Sequence, residues 1–164
     1  MDRSSSRRGV KSFAKTTLLF LITAACLCGQ EQAPWFGTWQ QVPPARKWFD
    51  PWPYRQVTLR IEPSDDGLRV IYDMTRRRGG IQHMEWNGRF DGKEYPVQGV
   101  DYVLTNAYRK ISESSYEIVV RVDGSQAAIA TASISADGKT MTVNTVEKDD
   151  RGRTVKTSAS YVRR

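Results

Sequence analysis

The strongest constraint on the fold is a period-two alternation of apolar and polar residues that recurs along most of the chain. Val57, Leu59 and Ile61, for example, share one parity, and polar residues occupy the positions between them. Successive side chains of a β-strand point to opposite faces, so this pattern predicts half-buried strands. The candidate strands are 37–42, 56–62, 67–75, 81–90, 102–110, 115–123, 126–135, 139–148 and 153–163.

Short turns separate these candidate strands. Asp91-Gly92, Asp123-Gly124 and Asp137-Gly138 each suit a tight hairpin, because both residue types tolerate positive φ. Consecutive hairpins build an antiparallel meander, and helical periodicity that would supply a covering helix is nearly absent. We therefore predict an all-β, antiparallel up-and-down meander closed into a barrel of about 8–10 strands, since closure removes exposed edges. An open sandwich is the alternative.

The first 29 residues have the pattern of a secretory signal peptide. Residues 1–15 carry five basic residues against the single acid Asp2, and residues 16–28 carry no charge. This uncharged run is shorter than the roughly 18–20 residues that a spanning helix needs. We predict cleavage near Gly29, which leaves residues 30–164 as one barrel domain in the periplasm or outside the cell.

Two variants of this export signal stay open. Ser6-Arg7-Arg8 is similar to a twin-arginine signal, although Gly9-Val10-Lys11 fits the rest of that pattern poorly. Thr23-Ala24-Ala25-Cys26 resembles a lipoprotein box with threonine where leucine is usual. Acylation of Cys26 would tether the protein to a membrane; otherwise both cysteines leave with the signal.

Charge in the remaining chain is modest. Removing residues 1–29 removes five of the 25 basic residues and one of the 18 acidic ones, which leaves a net charge of +3. Most of the apparent basicity therefore belongs to the export signal, and nothing in the charge balance favours a nucleic-acid partner.

The residues needed for catalysis are scarce. Residues 30–164 contain no thiol, no Gly-x-Ser-x-Gly motif and a single histidine, His83. Gly138-Lys139-Thr140 ends like a phosphate-binding loop, but Ser133 stands where that loop requires glycine. No cluster has the spacing of metal ligands. We therefore predict no enzyme activity, no cofactor and no metal.

The segment around His83 offers only weak alternatives. If Met84 and Trp86 point into the barrel, His83 has the opposite parity and faces solvent, which disfavours a haem ligand. Asp73 and Glu85 are a formal acid pair, but nothing in the sequence fixes their separation.

The best candidate for binding is the aromatic, proline-rich segment that precedes residue 55. Trp48, Trp52 and Tyr54 lie among prolines that exclude a central strand, so we predict an irregular connection with one helical turn near 45–47. Aromatic side chains there, together with Trp86, would contact a ligand near the barrel entrance. The alternative is that the tryptophans seal the barrel.

A second candidate surface is the run Arg76, Arg77 and Arg78 beside Gly79-Gly80. At the tip of a hairpin it would bind an anion or an acidic partner. A solvated loop with no partner is the alternative.

The segment Trp35-Phe36-Gly37-Thr38-Trp39 resembles the Gly-x-Trp opening strand of lipocalin-like (calycin) barrels. The resemblance implies that Trp39 plugs one end of the barrel, with Gly37 part of the motif. It also implies that a basic residue of the last strand, here Arg163, packs over the tryptophan ring.

The chain is also similar to small secreted bacterial proteins of unassigned function. The shared features are Pro44-Ala45-Arg46-Lys47, the predicted turn from Phe90 to Val97, and the hairpin from Ala136 to Val143. Trp48 and Trp52 depart from those proteins. This similarity implies a fold and export only, because the function of those proteins is unassigned.

Together these features predict an exported, non-catalytic barrel that binds a small apolar or amphipathic molecule. The small residues on predicted inward faces would leave room for it; they are Ala128, Ala130, Ala132, Thr157 and Ala159. The alternative is an envelope protein-interaction or inhibitor module that uses the tryptophan-rich segment and the three arginines. The hypothesis that the protein is an enzyme ranks last of the three, because candidate nucleophiles and metal ligands are scarce.

Overall fold

Ten β-strands account for most of the residues that the computed structural model describes, which are 33–43, 53–65, 67–149 and 151–164. These residues contain no helix. The strands are β1 (Gly37–Gln41), β2 (Tyr54–Ser64), β3 (Gly67–Arg76), β4 (Ile81–Gly88), β5 (Asp91–Gln98), β6 (Leu104–Ser112), β7 (Ser115–Val122), β8 (Ser125–Ile134), β9 (Thr140–Lys148) and β10 (Thr154–Arg163).

The strands form a closed antiparallel meander. Each strand pairs with its neighbours in the chain, and β1 pairs with β10 to complete the barrel. At this closure Trp39 is registered to Arg163 and Gln41 to Tyr161. The predicted all-β, up-and-down closed barrel is therefore confirmed.

The strand missing from the sequence prediction is β5. The residues from Phe90 to Val97 were predicted as a turn, because Asp91-Gly92 suits a tight turn and the segment is similar to a turn of small secreted proteins. In the structure β5 is registered to β4 at only two positions, and its pairing with β6 is irregular between Asp91 and Glu94. Because β5 makes so few ladder hydrogen bonds, it tolerates Pro96, which has no backbone N–H to donate.

Along β9 and β10 the barrel interior is filled at one end only, whereas on the β2–β3 side the buried pair Val57 and Met74 extends the core toward the other end. We call the closed end the one where β9 begins, and the open end the one where β9 finishes at Lys148. Inward-facing residues of β9 change along this axis from buried Met141, through half-buried Val143 and Thr145, to exposed Glu147. Along β10, burial likewise falls from Tyr161 through half-buried Ala159 to exposed Thr157.

Stacked aromatic rings fill the closed end. The ring centroids of Trp86 and Tyr108 lie 4.0 Å apart, and those of Tyr108 and Tyr116 lie 5.6 Å apart. Trp86 is completely buried, and its indole nitrogen donates to the carbonyl of Asn106 at 3.1 Å. Bulky rings of this kind leave little space for a ligand at this end.

Arg163 fastens the closed end. Its guanidinium carbon lies 4.3 Å from the ring centroid of Trp39, which is the contact that the calycin resemblance implies. The guanidinium also donates to the carbonyl oxygens of Phe36, at 2.6 Å, Gly138, at 2.7 Å, and Pro34. One side chain thus ties the N-terminal segment to the β8–β9 turn.

The glycine of the Gly-x-Trp segment is explained by the same contact. Gly37 has φ of 135°, and a Cβ atom on it would lie 2.7 Å from Nη1 of Arg163. A larger residue would displace the guanidinium that packs over Trp39.

Candidate functional site

A cavity of about 650 Å³ lies at the open end of the barrel, against β9 and β10. Its described lining residues are Gln41, Val42, Pro43, Val143, Thr145, Glu147, Thr157, Ser158, Ala159, Ser160 and Tyr161.

The cavity lies where the barrel wall is incomplete in the described residues. β1 is registered to β10 at only three positions, and it ends at Gln41. Val42 adds one further bond, from its backbone N–H to the carbonyl of Ser160 at 2.8 Å. Beyond Ser160, toward Thr154, no described strand pairs with this side of β10. A short first strand therefore exposes the inner face of β9 and β10.

The cavity has this volume because short side chains line its wall. Thr145 is registered to Thr157, and Val143 to Ala159, so two layers of short residues line its wall. The alanines of β8 have another role. Ala132, registered to Tyr116, is fully buried and lies outside the cavity lining, so its small size accommodates the aromatic ring opposite.

A neutral phenol, Tyr161, lies at the inner boundary of the cavity, and the buried tyrosines of the closed end lie beyond it. Tyr161 lines it and is buried, and burial raises the pKa of its hydroxyl well above the usual range. Burial has the same effect on the pKa of Tyr108 and of Tyr116. The hydroxyl oxygens of Tyr72 and Tyr108 are 3.5 Å apart. This boundary therefore stays uncharged through neutral pH.

Glu147 is the one charged residue among the described residues that line the cavity. Register places it opposite Ala128 on β8 and Val155 on β10, with its side chain on the inner face. Glu147 was not among the predicted site residues, although the parity that starts at Met141 continues through Val143 and Thr145 to Glu147. The sequence does not show where along the strands the packed core of the barrel ends.

The predicted ligand residues are distributed differently. Tyr54 lies at the open end, where its hydroxyl donates to Oε1 of Gln82 at 3.1 Å, but it does not line this cavity. Trp86 belongs to the aromatic stack of the closed end. Trp48 and Trp52 lie outside the described residues.

The remaining predictions on the N-terminal region also lie outside the described residues. These concern the signal peptide over 1–29, acylation of Cys26 and the helical turn near 45–47.

Arg76, Arg77 and Arg78 lie at the open end, at and after the end of β3, and all three are exposed as predicted for a hairpin tip. Nη2 of Arg76 donates to Oε1 of Gln82 at 3.2 Å. None of the three lines the cavity. Ile81 beside them is 69% exposed, so this rim combines positive charge with apolar surface.

His83 points outward from β4, as its parity predicts, and its side chain is 54% exposed. Its Nδ1 lies 2.6 Å from Oδ1 of Asp73. Glu85 accepts two hydrogen bonds from Arg69, at 2.8 and 2.6 Å. On the outer surface Asp73 thus contacts the imidazole of His83, and Glu85 forms an ion pair with Arg69, an arrangement that suits structural support.

The hydrogen bonds from Arg69 to Glu85 make the free energy of unfolding depend on pH in the acidic range. They lower the pKa of Glu85 to about 2, and a bond from Asn87 adds to the effect. Because an unfolded glutamate titrates near pH ~4.3, the contribution is present above that pH and is lost as pH falls toward 2. We expect Glu85→Gln to weaken the acid dependence of the free energy of unfolding between about pH 5 and 2, measured by urea denaturation.

Glu113→Gln is the matched control for this measurement, since the Glu113 side chain is 87% exposed in the β6–β7 turn. It should keep the acid dependence of the parent protein. An unchanged dependence in Glu85→Gln would contradict the assignment to the Arg69 pair.

The described residues contain no group of three or more histidine, cysteine, aspartate or glutamate side chains placed to hold a metal ion. They also contain no helix of the length and hydropathy needed to cross a bilayer.

No protein-family model and no curated protein matches this chain.

Proposed function

We propose that this protein is an exported, non-catalytic, calycin-like barrel that binds a small apolar or amphipathic molecule in the cavity at the open end. The observation that carries the proposal is the axial gradient, from a closed end packed with aromatic rings to an open end with about 650 Å³ of free volume. Cavities that bind small molecules usually measure about 300–1,000 Å³.

The lining has the chemistry of a site for an amphipathic molecule. Val143 and Ala159 offer apolar contacts, while Thr145, Thr157 and Tyr161 offer hydroxyl groups. Such sites combine a mostly apolar wall with a few polar groups that fix orientation. Arg163 over Trp39 supports the calycin-like assignment, and the basic head and apolar run before Gly29 support export.

Filling the cavity should abolish binding. Ala159→Phe places a ring on the half-buried inner face of β10, and we expect the affinity for N-phenyl-1-naphthylamine to fall at least about tenfold, a free-energy change of ~1.4 kcal/mol. Fluorescence titration measures this affinity. The cavity accommodates the added ring, so the thermal midpoint should change little.

Ser133→Phe is the control, because Ser133 is exposed on the outer face of β8. It should bind the probe like the parent. If Ala159→Phe binds the probe as tightly as the parent protein does, the binding site does not lie in this cavity. No binding by the parent protein would overturn the proposal and favour the interaction module, which uses the tryptophan-rich segment and Arg76, Arg77 and Arg78.

A further inference from the structure

The carboxylate of Glu147 lies at the mouth of the cavity. No hydrogen bond or ion pair joins it to another described residue. Of the basic residues near it in the chain, Lys148 donates to Oγ1 of Thr154 at 2.7 Å and Arg153 pairs with Asp149 at 2.7 Å, while Arg151 forms no ion pair with Glu147. The negative charge of Glu147 is therefore not neutralised by these neighbours.

Chemical character changes in layers from Glu147 toward the barrel interior. Thr145 and Thr157 form the next layer of hydroxyl groups, and Val143 and Ala159 form an apolar layer beyond them. At the spacing of a β-strand, Glu147 lies about 13 Å along the strand from Val143. A ligand that follows this wall meets charge first, then hydroxyl groups, then apolar surface.

We propose that the cavity selects amphiphiles with a primary ammonium head group, held by Glu147 at the mouth with the apolar tail toward Val143 and Ala159. This inference rests on the proposed function and names its ligand class. A protonated amine donates hydrogen bonds to the carboxylate and neutralises its charge. An anionic head group in the same place would meet electrostatic repulsion. The arginines at the tip of the β3–β4 hairpin lie outside the cavity lining and do not reverse this preference.

Three probes with the same alkyl chain test the inference: dodecylamine, 1-dodecanol and dodecanoate. Each displaces N-phenyl-1-naphthylamine from the full chain at pH ~7.5 and low ionic strength, below its aggregation concentration. We expect dodecylamine to bind about fivefold more tightly than dodecanol, and dodecanoate to bind most weakly. A fivefold preference is what one ion pair near the surface supplies.

Glu147→Gln should remove this preference by weakening dodecylamine about fivefold while leaving dodecanol within about twofold. Glu113→Gln, far from the cavity in the β6–β7 turn, should retain it. Dodecanol binding without an amine preference, or an amine preference that survives in Glu147→Gln, would overturn this inference and leave the proposed function standing. Absence of binding by all three probes would overturn both.

Discussion

Replacing Arg163 with methionine is expected to lower the free energy of unfolding by about 3 kcal/mol. The methionine keeps an apolar stem over Trp39 but removes the donors to the carbonyls of Phe36, Gly138 and Pro34. Hydrogen bonds from a charged donor contribute more than neutral ones, and the carbonyls would lose their partner. Urea denaturation followed by far-ultraviolet circular dichroism measures the change.

Two further variants separate the hydrogen bonds from charge and from chain position. Arg163→Lys keeps the charge but not the planar fork, so we expect about half of the loss. Arg164→Met removes a single exposed hydrogen bond, from Nε to Oε1 of Gln40 at 2.6 Å, and should cost no more than about 0.5 kcal/mol. A loss in Arg163→Met no larger than that in Arg164→Met would show that the closed end holds without the guanidinium.

The fold was largely predictable because its signals are local. Alternation such as that of Val57, Leu59 and Ile61 requires no knowledge of distant residues, and Asp-Gly pairs locate the turns. The strand at Asp91–Gln98 was missed because Asp91-Gly92 indicates a turn. The strand also contains Pro96, which is compatible with it because pairing with β4 is sparse, a tertiary feature.

The candidate site was not predictable to the same degree, because it depends on how far each strand extends. Parity places Thr145 and Glu147 on the inner face, but parity does not say where aromatic filling ends. That boundary depends on β1 stopping at Gln41 and on the rings of Trp86, Tyr108 and Tyr116 meeting at one end. Likewise, aromatic character alone could not separate Tyr54 at the open end from Trp86 in the core.

Gly99 directly follows the end of β5 and lies against β4. Its replacement by alanine is expected to be among the most destabilising changes. Gly99 has φ of 89°, and a Cβ atom there would lie 2.1 Å from the carbonyl oxygen of His83 and 3.2 Å from Cα of Met84. Both are backbone atoms of β4, so rotation of a side chain cannot relieve the contact.

We expect Gly99→Ala to lower the free energy of unfolding by about 3 kcal/mol, combining the cost of positive φ with displacement of β4. Gly124→Ala isolates the first cost, because Gly124 has φ of 77° and no atom within 4 Å of the added methyl group. That control should lose only about 1 kcal/mol.

The difference between the two alanine variants therefore measures how rigidly β4 and β5 are held together. These strands share only two registered pairs, so a backbone clash at Gly99 should also speed amide hydrogen exchange along Gln98 and Glu85 before the rest of the barrel opens. If both variants lose the same free energy of unfolding and exchange at those amides is unchanged, then β4 shifts to accommodate the added methyl group at Gly99 without further destabilisation. The barrel would then be held by its other nine strand pairings.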